Sequence, residues 1–442
     1  MARHILRRLV LLAVLLLVPL APAWAVSVER VVSPLGVEAW LVQDHTNPII
    51  SLRLAFRGGA VTDPPGKAGR AYMTAALLDE GAGDLDSLAF QTKLEDLAIQ
   101  LGFDAGRDSF GGTLKTLTEN RDVAFGLLRL ALTTPRFDAE PVERIRSQIL
   151  VGLARELQDP DAVAGRLWFR TQFPRHPYGT AVNGEPETIK GLAADDLRSF
   201  VRARFARDNL VVAVVGDVTP AELGRLLDAT FGALPAKAAA VTVAEAQPAA
   251  PGRVLVERRN IPQSVVMFGE RGLKREDSDW YTAYVMNYIL GGGGFSSRLM
   301  EEIREKRGLA YSVSTSLQPM DHVGLILGDV ATENQRVAES LALVRSEWRR
   351  MREQGPTAEE LANAKTYLTG SFPLQLSSTG AISGVLVAMQ LDHLGIDYLD
   401  RRNGLIEAVT LDDVRRVAGR LLDPQRLTVV VVGNPKAIGD GL

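Results

Sequence analysis

Two stretches of this chain repeat each other at a fixed distance. The segment IKGLAADDLRSFVRARFARDNLVVAVVGDV from Ile189 matches IEAVTLDDVRRVAGRLLDPQRLTVVVVGNP from Ile406. Ile189 stands opposite Ile406, Asp195 and Asp196 opposite Asp412 and Asp413, and Gly216 opposite Gly433, so the offset is a constant 217 residues. An internal match of this kind means that one supersecondary plan is used twice, and it divides the chain into two homologous halves. Each copy puts acids where a helix N-terminus favours them and follows with an apolar β-branched run, Val211 to Val215 or Val429 to Val432. That pattern reads as a helix feeding a buried strand.

Between the halves, PAKAAAVTVAEAQPAAPG from Pro235 to Gly252 is rich in Ala, Pro and Val and reads as a linker. The expected organisation is therefore a leader over 1–25, an N-terminal half over 26–234, the linker over 235–252 and a C-terminal half over 253–442. In the first half Leu52, Leu54 and Phe56 alternate with Ser51, Arg53, Ala55 and Arg57, the period of a half-buried strand. Helices are expected at Ala68 to Glu80, Ser87 to Leu101, Val123 to Leu132 and Pro141 to Leu157. Strands and helices mix without a regular βαβ alternation, so the fold class is α+β.

The first residues carry Arg3, Arg7 and Arg8, then an apolar run from Leu9 to Val18, then Ala23-Trp24-Ala25, which is the order of a secretory signal cleaved after Ala25. Pro19 and Pro22 interrupt the run, which is short for a spanning helix, so no stable membrane anchor is expected. Loss of the leader leaves 47 basic against 53 acidic residues, a net charge of −6, and this mild acidity argues against a nucleic-acid partner. The expected location is periplasmic or otherwise exported and soluble. The chain has no cysteine, so neither disulfides nor a cysteine-anchored lipid can contribute.

Three phrases carry a family resemblance. GKAGRAYMTAALLDEGAG from Gly66, FPRHPYG around His176 and LGGGGFSSRLMEEIREKRGLAYSVST from Leu290 resemble the pitrilysin, insulysin and mitochondrial processing peptidase family of zinc peptidases over essentially the whole mature chain. The resemblance implies a clam-shell-like, two-lobed molecule. It also implies an inverted His-x-x-Glu-His zinc motif on a helix, where this chain reads Tyr72-Met73-Thr74-Ala75-Ala76. Histidines at i and i+4 share a helix face and can grip one Zn²⁺ while the carboxylate between them acts as base. Alanine offers no donor atom, and a lone phenol at Tyr72 makes no metal site, so Tyr72 is expected to pack in the core. The family's third ligand, a glutamate, falls at Ile145, with Glu143 and Glu156 nearby as solvated helix acids. No zinc ligand is carried over, and none of the five histidines, His4, His45, His176, His322 and His393, has another histidine at ligand spacing. His176 is expected to serve a loop.

The glycine run at 291–294 is followed by no Lys-Ser or Lys-Thr pair, which excludes a phosphate loop, and neither Ser296 nor Ser297 sits in a Gly-x-Ser-x-Gly frame. Ser296 or Ser297 is expected to cap a helix from Arg298 to Lys306 that Gly308 stops. What the resemblance implies instead is a substrate-binding pair, Arg307 and Tyr311, reaching toward peptide held at a zinc. The bland alternative gives Arg307 a helix C-terminus and Tyr311 a place on the core. The leading expectation is a subunit without zinc that forms a heterodimer with a homologous zinc-bearing peptidase subunit and helps it cut peptide or unfolded polypeptide; the alternative is an inert scaffold or peptide-binding homologue. Zinc is expected in the partner and not here.

Overall fold

The fold is that of a computed structural model and is described for residues 26–436 and 438. The expected leader lies outside the described residues. Two mixed sheets, both flanked by helices, give an α+β architecture. The first has the order β1-β2-β6-β3-β5-β4, from β1 (Glu29–Val32), β2 (Glu38–Gln43), β3 (Ile49–Arg57), β4 (Gln100–Ala105), β5 (Ser109–Leu117) and β6 (Leu210–Gly216). The second runs β7-β11-β8-β10-β9, from β7 (Val254–Arg258), β8 (Gln263–Arg271), β9 (Ala310–Met320), β10 (Val323–Glu333) and β11 (Thr428–Gly433). Apart from β1, the sheets have the same plan: β2 with β6 and β7 with β11 are parallel, and the remaining neighbours are antiparallel. The segments that match at the 217-residue offset both fold as a helix, Ala194–Arg204 or Leu411–Leu421, leading to an interior strand, β6 or β11. Both strands end on a positive-φ glycine, Gly216 or Gly433.

One face of each sheet meets helices of its own half. Ile50, Leu52, Leu54 and Phe56 of β3 pack there with Phe200 and Phe205, and the Phe56 and Phe205 rings stack at 4.4 Å. The opposite face is covered by the other half. Helix Pro160–Gln172 lies on β8 and β11, where Trp168 is fully buried among Val265, Leu325 and Val430 and its indole N–H donates to the Thr428 carbonyl at 3.2 Å. Helix Thr379–Leu391 lies in the same way on β3 and β6, with Leu386 and Met389 among Trp40, Ala55 and Val215 and the Gln390 amide donating to the Val212 carbonyl at 2.9 Å. This exchange corrects the expected half-buried strand: Ser51 and Ala55, on the supposed solvent face of β3, are buried beneath Thr379–Leu391.

Other boundaries shift for local reasons. The first helix is Arg70–Ala75, shorter than expected at both ends: it starts only after Gly69 at φ 87, and from Ala76 the chain continues in turns. The next stops at Asp96; Ala98 turns at φ 51, and the chain continues as β4 where helix to Leu101 was expected. Residues 235–252 contain no helix or strand yet are tied on both sides, Ala239 N–H to the Ala203 carbonyl, Ala246 to His322, and Gly252 to Arg426, each at 2.9 Å. Among the described residues no single helix is long and apolar enough to cross a membrane.

Candidate functional site

The positions expected for a zinc motif, Tyr72 to Ala76, lie on helix Arg70–Ala75 and its C-cap. Asp63 fixes that helix: its carboxylate accepts from the Gly69 and Ala71 amides at 3.1 Å and from Arg70 Nε at 3.4 Å. Burial pushes the Asp63 carboxyl up to about 6, while the Arg70 charge and the amides pull it back. Ala71, Met73, Thr74 and Ala75 face the core, and Ala76 is half-buried at the C-cap. Tyr72 does not: it is 37% exposed, which corrects the expectation of core packing, because the buried side of this short helix is already filled by its neighbours. Ile145, on helix Ala139–Glu156, is buried in the first core. Glu143 pairs with Arg146 at 3.1 Å, and Glu156 is held by Arg166 at 3.0 Å and Asn183 at 2.7 Å. Two alanines, an isoleucine and a phenol do not fit a zinc shell, and among the described residues no three His, Asp or Glu side chains converge as one would require.

The second-half signature forms a tight platform. A side chain at Gly291 would meet Thr315 Oγ1 at 2.5 Å, so glycine is needed for the loop to lie against β9. Ser297 is buried and its hydroxyl donates back to the Gly294 carbonyl at 2.8 Å, so it does not cap the next helix as expected. That helix is wound as a π-helix over Met300–Glu305, and the Lys306 N–H bonds to the Glu301 carbonyl at 2.9 Å, five residues back. Arg298 is buried and grips Glu360 with bonds of 2.6 and 2.7 Å, adding the Gly355 carbonyl at 2.9 Å.

Tyr311 is 83% exposed at the start of edge strand β9, so it has no place in the core. Arg307 is partly exposed and donates to Glu302 twice, to its carboxylate at 2.6 Å and its carbonyl at 2.8 Å. Glu302 also accepts from Lys306 at 2.7 Å, and the two cations hold its carboxyl below its ordinary value against the effect of partial burial. Arg304 lies between two exposed rings, 4.8 Å from the Tyr311 centroid and 4.4 Å from that of Phe295. Sequence reasoning missed Arg304, Glu302 and Phe295; the only available signal was an apolar residue directly after a glycine run. The surface therefore offers the Tyr311 phenol with the Arg304 guanidinium against its ring, and the Arg307 guanidinium four residues before it in the chain, donors suited to a peptide carbonyl oxygen. No hydrogen bond, ion pair or ring contact joins this group to Tyr72, Ala75 or Ala76 among the described residues.

The histidines serve other purposes. His176 Nε2 bonds to the Ala244 carbonyl at 2.9 Å, and its Nδ1 accepts from the Tyr178 amide at 3.1 Å, so the neutral ring pins the 235–252 segment. His45 bonds to Asp217 at 2.6 Å.

A family model described as the peptidase M16 inactive domain matches residues 191–368. The non-peptidase homolog YmxG of Helicobacter pylori is 29% identical over 396 residues, covering 89% of this chain and 91% of that protein. An uncharacterized zinc protease of Streptomyces coelicolor is 30% identical over 406 residues, covering 88% of this chain and 86% of that protein. Among solved structures, a peptidase M16 inactive domain from Pseudomonas fluorescens superposes with a TM-score of 0.87 at 29% identity, covering 94% of this chain and all of that one.

Proposed function

The chain belongs to the M16 zinc-peptidase family, as a member of its zinc-free type, and from that premise we propose that it is the complementing subunit of a heteromeric peptidase. The observation that carries the reading is the contrast between two surfaces. The positions expected for the zinc motif are alanine, isoleucine and a phenol, whereas Tyr311 stands 83% exposed and the Arg307 side chain also reaches solvent. A homologous partner supplies the zinc and its water; this chain supplies donors. The Tyr311 hydroxyl and the Arg307 guanidinium hold the carbonyl of a peptide or unfolded polypeptide and stabilise the negative charge its oxygen develops, and losing one such donor typically costs about 3 kcal/mol of barrier. Arg307 leaves Glu302 to do so, and Lys306 keeps that carboxylate paired meanwhile. We place the complex outside the cytoplasm, on the strength of the leader-like N-terminus.

The test reconstitutes the mature chain with a homologue that carries His-x-x-Glu-His and compares peptide turnover for wild type, Arg307→Ala and Tyr311→Phe. Falls of about a hundredfold at unchanged assembly are expected. Unchanged turnover refutes the donor role. One observation favours a second reading, that of an inert scaffold: Arg307 is already engaged by Glu302. That reading requires the complex to assemble through this chain and to work equally well without either side chain.

A further inference from the structure

Where the two halves meet, a cavity of about 750 Å³ lies between the end of β3, the loop after β8, the β9–β10 turn and the chain following helix Thr379–Leu391. Its size is that of a small-molecule site. Its lining carries opposite charges, of which the Arg57 guanidinium and the Asp321 carboxylate enter no ion pair among the described residues. Arg57 donates only to the Gln390 carbonyl, at 3.1 Å, and enters no ion pair among the described residues. The Asp321 carboxylate has no hydrogen-bond or ion-pair partner among them; only its backbone amide is used, donating to Asp108 at 3.2 Å. Asp392 comes no nearer to a cation than 3.6 Å, at Arg275 Nε. Burial and the Asp108 charge push the Asp321 carboxyl above its ordinary value against Arg57, and burial does the same to Asp392 against Arg275 and Arg57.

The wall behind these groups is rigid. Arg275 lies over the rings of Trp280, Tyr281 and Tyr398, at 4.9, 5.2 and 5.8 Å from their centroids, and donates to the Tyr281 hydroxyl at 3.1 Å. His393, which also lines the cavity, holds φ 55, a left-handed conformation usually left to glycine after a helix.

We propose that this cavity binds a short peptide with both ends free, its ammonium group against Asp321 and Asp392 and its carboxylate against Arg57. A lone cation would leave Arg57 unspent, and a lone anion would leave the Asp321 carboxylate so. The volume is several times that of a single amino acid, and Met320, Leu391 and Leu394 give the middle of the peptide an apolar surface. The cavity is distinct from the Arg307 and Tyr311 surface: Tyr311 and Met320 lie at opposite ends of β9, about 30 Å apart at a rise of ~3.3 Å per residue. The proposal therefore does not depend on the complementing role.

Calorimetric titration of the purified mature chain with trialanine decides it, using free, N-acetylated and C-amidated forms. The free form is expected to bind, and either blocking group to weaken binding about tenfold or more. Asp321→Asn should remove the preference for a free amino end and Arg57→Gln the preference for a free carboxyl end. The Asp321 amide, not its carboxylate, holds the turn, so Asp321→Asn keeps the fold; the blocked peptides on wild type decide the matter even if a variant does not. Absence of binding overturns the proposal. So does equal binding of free and acetylated forms, which marks an anion site, or of free and amidated forms, which marks a cation site.

Discussion

The hydroxyl of Ser51 in β3 lies 2.8 Å from the hydroxyl of Thr379, the first residue of a helix that belongs to the other half of the chain. The contact is the visible edge of a reciprocal cover, in which each sheet is closed by its neighbour's helix. Removing either cover should therefore be felt throughout.

Leu386→Ala is expected to cost about 2–5 kcal/mol and Trp168→Ala about 3–5 kcal/mol, since both side chains are fully buried. Because the covers cross between halves, urea unfolding of either variant should remain a single transition, with near- and far-UV signals falling together. Two separated transitions would mean that each half is stable without its borrowed helix.

Two arginines nine positions apart should behave in opposite ways. Arg298 is buried in its paired bond to Glu360; burial alone would raise that carboxyl, but Arg298 and the helix-cap donors hold it at about 2. Arg298→Ala leaves a half-buried carboxylate unpaired and should cost about 3 kcal/mol or more. Arg307→Ala removes a surface ion pair and should cost less than about 1 kcal/mol. Thermal denaturation of the two variants measures the contrast, which is what makes Arg307→Ala a usable probe of function.

Glu270 is buried, accepts from the Trp348 indole at 2.7 Å and from the Asp423 amide at 3.2 Å, and burial pushes its carboxyl up to about 7. A carboxyl raised on folding binds its proton more tightly in the native state, so its contribution is fullest below the ordinary value of about 4.3 and is lost as pH rises toward 7. Glu270→Gln keeps an acceptor without a charge. Its urea midpoint should equal or fall below that of wild type at pH 5 and exceed it at pH 8, by a difference of order 1–3 kcal/mol in stability. A variant less stable by the same amount at both values would show that the group does not titrate in this range.

Placing a glutamate where the family resemblance puts a third zinc ligand should be destructive. Ile145→Glu places an unpaired carboxylate in the first core and is expected to cost several kcal/mol, against less than about 1.5 for Ile145→Met. A stable, soluble Ile145→Glu chain that takes up zinc would mean that the pocket has been preserved.

A 217-residue offset can be read without knowledge of contacts, and the strand order β2-β6-β3-β5-β4 runs in the same sense as β7-β11-β8-β10-β9. The burial of Ser51 and Ala55 was not legible, since what covers them lies more than 300 residues away and leaves no trace in local period. Alternation reports one face of a strand and assumes water on the other. Tyr72 was misplaced for a related reason: a six-residue helix has too few turns for its own sequence to say which side is filled. In the second half, the glycines, the helix and the strand were readable in outline. The bond from Arg307 to Glu302 and the ring of Tyr311 over Arg304 were not, because a π-helical turn displaces side chains from the spacing that α-helical reasoning assumes.

The exchange of helices also sets an order of events during synthesis. The first sheet is complete in sequence at Gly216, but the helix that closes its outer face begins at Thr379, some 160 residues later. At ordinary elongation rates of ~5–20 residues per second, Trp40, Ala55 and Val215 wait on the order of ten seconds or more for their cover. Through that interval the growing chain presents an apolar sheet face that nothing of its own can hide, and it is then, not in the finished molecule, that it most needs a chaperone.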